Sequence, residues 1–446
     1  MPAGRGRLLA LAALLGGCHR SAMPPRPDGA AVVVAPDTQD DGIATVPEVE
    51  PNNSLATAQL LPVTVAGAAA VAGSLAPPTG GKRDFDLFRV DVPGPDGGVA
   101  PPVGDAGAAA PPPRLLLRAD LRPTVPGLAT TLEVLDATGH VLVAANGLPG
   151  EAIAIPNLAA RGGSLYLRVR AAGPEVPGGS YRLIVHLVPF DAGAEIEPNG
   201  DAAHATLLAP GGEAVGYLGW RRDQDWYRLP TAGIAEGSVL SVDLDPLPEV
   251  AASLQLYGAD AHKVTEARGR KGERVVLRNV RISPTDPFVF VVVRADVGFS
   301  AEARYNLRPR ADLPKSGTEA EPNDDPAHAQ TIGDGAVLGY LARGDVDFFR
   351  YSTDGMALLD LEVTPPERGG VEVEITREDN TLLARAASAR HAPARIVGQP
   401  VPGGPILIRV VPSHGPIDSD DPYRLSVTSR PAPPPGEPPP QRGTTE

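Results

Sequence analysis

The chain contains one cysteine in 446 residues, Cys18, so no intramolecular disulfide can brace it. Aromatic residues are only 4 % of the chain, while 50 glycines and 51 prolines interrupt it, a balance that argues against a helical bundle. Positive charge is short as well. Forty Lys and Arg face 54 Asp and Glu, a net charge of −14, which removes the general attraction for phosphate backbones and sets nucleic acid aside as a partner. The apolar run at residues 8–17 is half the length of the ~20 residues that a membrane-spanning helix requires. What is present is 42 % hydrophobic residues, enough to bury cores, in a chain long enough for about three domains. Short strands joined by many turns fit this composition best.

The N-terminal run follows Arg5 and Arg7 and ends Leu15-Gly16-Gly17-Cys18. This resembles a bacterial lipoprotein signal, in which small residues admit the peptidase and the thiol is then lipidated. It implies a signal peptide at 1–17, lipidation of Cys18 and attachment to a membrane through the lipid. His19 follows in place of Asp, which by the same resemblance implies an outer-membrane lipoprotein on its periplasmic or cell-surface face. Residues 18–47 are proline-rich without periodicity and read as a flexible tether, and 431–446 as a disordered Pro-rich tail.

Between these ends one unit recurs three times. Each copy opens on Glu48-Val49-Glu50-Pro51-Asn52, Glu195-Ile196-Glu197-Pro198-Asn199 or Glu319-Ala320-Glu321-Pro322-Asn323. A glycine turn follows, centred on Gly73, Gly216 or Gly339, and then Asp-x-Asp before large apolar residues: Asp84 and Asp86, Asp223 and Asp225, Asp345 and Asp347. Each copy closes with a valine-rich strand and a Tyr-x-Leu strand that begins at Tyr181, Tyr305 or Tyr423. The opening Glu recurs after 147 and then 124 residues, the spacing of whole domains rather than of a solenoid. The extra length of copy one lies in a Gly/Ala/Pro-rich insert at about 93–113. Period-two runs such as Leu240-Ser241-Val242-Asp243-Leu244 predict seven or eight strands per copy. The fold class is therefore all-β: three tandem antiparallel β-sandwiches at 48–189, 195–310 and 319–430.

The ordered set of motifs resembles the bacterial pre-peptidase C-terminal domain, a family related to the collagen-binding domains of collagenases, three times over about residues 48–430. The resemblance implies jelly-roll-like sandwiches of the kind appended to secreted peptidases, and calcium held by the segment at each domain entrance. Carried onto this chain, the ligands would be Glu48, Glu50, Asn52, Asp84 and Asp86; Glu195, Glu197, Asn199, Asp223 and Asp225; and Glu319, Glu321, Asn323, Asp324, Asp345 and Asp347.

The residues are suited to that chemistry. In an extended chain, positions i, i+2 and i+4 share a side, and calcium takes six to eight oxygens. The alternative is that the Glu residues are solvated, the Asn caps a turn and the Asp-x-Asp opens a surface strand. Removing the 12 carboxylates of the three Glu-x-Glu and Asp-x-Asp pairs would leave 42 acids against 40 bases, so nearly all the excess acidity sits in these motifs. Since Asp324, Asn53 and Gly200 follow the motif Asn, copy three is expected to respond most to calcium and copy two least. Trp220 reads as cover for the edge of its own sandwich, with a peptide or glycan contact as the alternative. The acidic turn at 418–421 reads as a solvated hairpin loop.

Neither a Gly-x-Ser-x-Gly elbow nor a His-Glu-x-x-His pair occurs. The reading is thus a non-catalytic cell-envelope lipoprotein presenting binding modules for a protein, peptide or polysaccharide. A hydrolase with its catalytic residues assembled between domains, or a structural spacer, are the rivals.

Overall fold

The computed structural model describes residues 41–77, 83–94, 115–173, 176, 179–190, 194–283, 285–389, 392–415 and 420–433. The signal peptide, Cys18, the tether up to residue 40, nearly all of the 93–113 insert and the tail from 434 lie outside them. The described residues are all β, in six sheets that form three two-layered sandwiches.

In the first sandwich, one sheet runs in the order Thr45–Pro47, Ala68–Leu75, Gly179–Pro189, Leu115–Pro123, Ile153–Ala160. The facing sheet runs Gln59–Leu60, Phe85–Val92, Gly163–Ala171, Thr130–Leu135, Val141–Asn146. The second and third repeat this order, except that the first strand shrinks to a single bridge, Ala194 to Val215 and Thr318 to Leu338. Each sandwich has its own core fed by both layers. Val71, Leu117 and Leu183 meet Phe88, Leu132 and Leu167 in the first; Val242 and Leu307 meet Leu254 and Val291 in the second; Leu359 and Leu425 meet Val373 and Ile408 in the third. Alternation along the strands produces this, since one face of each sheet is apolar and buried.

The copies contain more strands than the sequence predicts. Two-residue strands, Gln59–Leu60, Thr206–Leu207 and Gln330–Thr331, pair parallel with the Asp-x-Asp strand. Two residues cannot display a period of two, so alternation passes over them.

The recurrent glycine and tyrosine explain one another. Gly73, Gly216 and Gly339 lie directly across the antiparallel ladder from Tyr181, Tyr305 and Tyr423. Each tyrosine lies flat over its glycine, so that a Cβ there would come within 2.2–2.3 Å of the phenol. All three tyrosines are buried. The missing side chain is what lets the ring lie down and send its hydroxyl between the layers. Gly216→Ala is expected to cost the second sandwich about 1–3 kcal/mol through overpacking. The expected readout is a thermal midpoint lowered by several degrees in calorimetry of the full chain.

Candidate metal centres

Alternation on the Asp-x-Asp strand places its second Asp inside the sandwich, because Asp86, Phe88 and Val90 share the buried face. Asp225 and Asp347 occupy the same position, and all three are fully buried. The tyrosine hydroxyl reaches them from the opposite sheet: Tyr181 donates to Asp86 Oδ2 at 2.5 Å, Tyr305 to Asp225 Oδ2 at 2.6 Å and Tyr423 to Asp347 Oδ2 at 2.5 Å. In every copy the other oxygen, Oδ1, has no hydrogen-bond partner among the described residues.

The entrance segment is stitched to this strand by its backbone. The N–H of Leu87, Trp226 or Phe348, each one residue past the Asp, donates to the carbonyl of Asn52, Asn199 or Asn323 at 2.9–3.1 Å. The first Glu of each motif receives the N–H that follows the turn glycine: Ser74 to Glu48 at 2.7 Å, Tyr217 to Glu195 at 2.9 Å, and Tyr340 to Glu319. The second Glu accepts the N–H of the motif Asn at 2.8 Å in all three copies. All three Glu-Pro bonds are cis.

These bonds gather both Glu residues and the second Asp of each copy. Glu48, Glu50 and Asp86 each offer a carboxylate oxygen within 4.8 Å of the others, as do Glu195, Glu197 and Asp225, and Glu319, Glu321 and Asp347. Oxygens bound to one calcium at 2.3–2.6 Å can be no more than about 5.2 Å apart, so the spacing fits. Asn52 Oδ1, Asn199 Oδ1 and Asn323 Oδ1 are also buried without a partner, and so is Glu197 Oε1. The donor set is oxygen throughout, which suits a hard divalent cation.

Four predicted carboxylate ligands, Asp84, Asp223, Asp324 and Asp345, stand outside the tight group. Asp84, Asp223 and Asp345 accept backbone N–H groups of the preceding loop, from Ala76, Gly219 and Ala342 at 2.6–2.8 Å. They shape the loop and add negative charge without entering the tight group. Asp324 is exposed, Asn53 turns its amide N–H toward Asp84 Oδ1, and neither belongs to the gathered oxygens. The neighbour of the motif Asn thus contributes no gathered oxygen, although the charge of Asp324 adds to the upward push on Glu321 and Asp345 in the third copy.

Burial does distinguish them. Glu48 is partly exposed and Glu50 exposed, whereas Glu195, Glu197, Glu319 and Glu321 are all buried. The reading of these residues as solvated surface fails for copies two and three. The cover comes from the sandwich before. Asn157, in strand Ile153–Ala160, donates its amide to Glu195 Oε1 at 2.8 Å, and the backbone of that strand pairs with Glu197. Strand Val275–Arg281 covers Glu321 in the same way. Trp220 packs against the first sandwich's core rather than on its own edge, because the loop that carries it is pressed into this join. Asp420 of the acidic turn is likewise no free loop charge, since it pairs with Arg274 and Arg278 of the second sandwich.

Burial and mutual repulsion push these acids upward. Asp86 is raised to about 9, first by burial and then by Glu48, against the Tyr181 hydrogen bond. Burial raises Glu319 to about 8, Glu321 to about 9 and Asp345 to about 7. Asp225 is driven well above the carboxylate range by burial and by Glu195 and Asp223. Such groups must hold protons or be neutralised by a cation.

No protein-family model matches the chain, and no curated protein matches it. Among solved structures, an archaeal virus protein with a triple jelly-roll fold is 7 % identical over 80 % of this chain and 89 % of that one, with a TM-score of 0.20. The M60 catalytic domain with two CBM51 domains from Clostridium perfringens ZmpB is 9 % identical over 54 % of this chain, at a TM-score of 0.17. The match spans about a third, 36 %, of that protein's length. Superpositions this loose assign the chain neither a family nor a ligand.

The raised acids give a pH signature. Their folded pKa values exceed the unfolded ones, so the stability they confer is complete below about pH 4 and is lost as pH rises toward 7–9. In chelator, the melting midpoint is expected to fall between pH 5 and 9, and Asp347→Asn should flatten the slope. With a bound cation the sign reverses, because metal competes with protons for the same oxygens. Melts at matched pH with EGTA or calcium check both arms.

Proposed function

We propose that the chain is a non-catalytic array of three β-sandwiches of the pre-peptidase C-terminal type, tethered to the outer membrane through lipidated Cys18 and stiffened by calcium. The observation that carries this reading is the threefold recurrence of one gathered carboxylate set at the sandwich entrances, in which the Oδ1 of the motif Asn and of the second Asp are each buried without a partner among the described residues. Glu48, Glu50, Asn52 and Asp86 would hold one ion, and Glu195, Glu197, Asn199 and Asp225 a second. Glu319, Glu321, Asn323 and Asp347 would hold the third. A bound divalent cation supplies positive charge where three carboxylates meet, and no bond of a substrate needs to be broken for that role.

In copies two and three the same residues that face the ion also touch the preceding sandwich. Ion binding there couples to the orientation of successive sandwiches, so the array acts as a spacer that presents its outer faces at a fixed reach from the membrane. Protein, peptide or polysaccharide remain the classes of ligand those faces would meet.

Extracellular calcium modules have dissociation constants of about 0.1–1 mM, which at ~1 mM free calcium corresponds to about 0.4–1.4 kcal/mol per site. Calcium titration of the full chain by calorimetry is expected to show binding that Asp225→Asn and Asp347→Asn each reduce by one site. Unchanged heats and unchanged melting in both variants would remove calcium from the reading. Mass spectrometry of membrane extracts should find residues 1–17 gone and Cys18 carrying acyl chains.

A further inference from the structure

The two joins between sandwiches are built from the same parts at the same positions. The edge strand of the preceding sandwich carries a bulge, and the carbonyl of the bulged Asn accepts the N–H of the second motif Glu: Glu197 to Asn157 at 3.1 Å, Glu321 to Asn279 at 3.0 Å. Two residues beyond the Asn, a backbone N–H donates back to that Glu's carbonyl: Ala159 to Glu197 at 3.0 Å, Arg281 to Glu321 at 2.7 Å. Six residues before the Asn, a Glu pairs with an Arg of the following sandwich: Glu151 with Arg221 at 3.1 Å, Glu273 with Arg343 at 3.5 Å. These parts form a donor edge. The Glu-x-Glu-Pro-Asn segment is its acceptor.

The third sandwich has the corresponding edge strand, Ala394–Val401, with its bulge at the same register. All three of these residues are replaced there. Gly398 stands where Asn157 and Asn279 stand, Pro400 where Ala159 and Arg281 stand, and Ala392 where Glu151 and Glu273 stand. Proline has no N–H to give, alanine has no carboxylate, and glycine keeps its carbonyl but lacks the amide that Asn157 gives to Glu195. Pro400 is exposed, and Val397 beside the bulge is 75 % exposed. A proline on an edge strand is a recognised block to further strand pairing. At the other end the acceptor is intact. Glu50 is exposed, and among the described residues nothing pairs with its N–H or carbonyl.

We infer that residues 48–52 are an open docking strand for the edge of another sandwich of this type, one with a bulged Asn and a free N–H two residues on. Pro400, which has no N–H for the return bond, and Ala392, which has no carboxylate, prevent a second copy of this chain from being that partner. The array is directional: it accepts at its N-terminal end and is closed at its C-terminal end. This rests on backbone pairing seen twice within the chain and is independent of whether calcium binds.

The test converts the closed end into a donor edge. Gly398 has φ +64°, close to the +48° of Asn279, and a Cβ there would meet only Arg430 at 3.7 Å, so Gly398→Asn is accommodated. The full chain carrying Gly398→Asn, Pro400→Arg and Ala392→Glu is the probe. In sedimentation velocity the native chain should stay monomeric, while the triple variant forms head-to-tail species of twice the monomer mass and above. Excess native chain, which accepts but cannot donate, should cap these and shift them toward dimers. A folded triple variant that stays monomeric, native chains that self-associate, or failure of capping would overturn the inference. Should the triple variant not fold, Arg281→Pro tests the same bond inside the chain. It should broaden the small-angle scattering distance distribution by freeing the third sandwich, and an unchanged distribution would overturn the inference.

Discussion

Three carboxylates converging on one point repel one another, and where all are buried, as in the second and third copies, they also lose their hydration; each copy is arranged around that constraint. The glycine opposite each tyrosine exists so that a phenol can lie flat and deliver a hydrogen bond to the second Asp. The backbone bonds from residues 74, 217 and 340 hold the first Glu in place against repulsion. Even so, each copy retains Asn and Asp oxygens that nothing among the described residues satisfies. Unmet acceptors of this kind cost about 1–3 kcal/mol each when buried, a cost that a cation shared among them would offset.

The sequence revealed the fold because its signals are local. Alternation, turn residues and the threefold order of motifs identify sandwiches without any long-range information, and the tyrosines show as core residues from their place in closing strands. The candidate site was legible in part. Glu48, Glu50 and Asp86 and their counterparts meet as residue type and repetition suggested. Asp84, Asp223 and Asp345 do not, because a side chain just before a strand can turn to the N–H groups of its own loop, and spacing alone does not record that.

What the sequence hid was the join. Asn157 and Asn279 lie in stretches that look like ordinary strand, and no motif shared with residues 195–199 or 319–323 flags them. Their role depends on a bulge and on a neighbour 40 residues away in sequence, both products of tertiary structure. Trp220 illustrates the same limit. A sparse aromatic beside two arginines reads as cover for its own sandwich, whereas it packs on the core of the neighbour, which its own sequence does not say.

The joins also change what the repeats mean. If the sandwiches were beads on linkers, the three acidic sets would be equivalent, and differences would follow from the residue after each motif Asn. Instead, the preceding sandwich closes the second and third sets, and the first lies open. If an ion binds as proposed, its exchange with solvent at residues 48–52 would require only local movement, whereas at 195–199 and 319–323 it would require the join to part. One motif used three times would then yield two kinds of site: one at the N-terminal end that equilibrates with its surroundings, and two within the array whose occupancy would be coupled to interdomain packing.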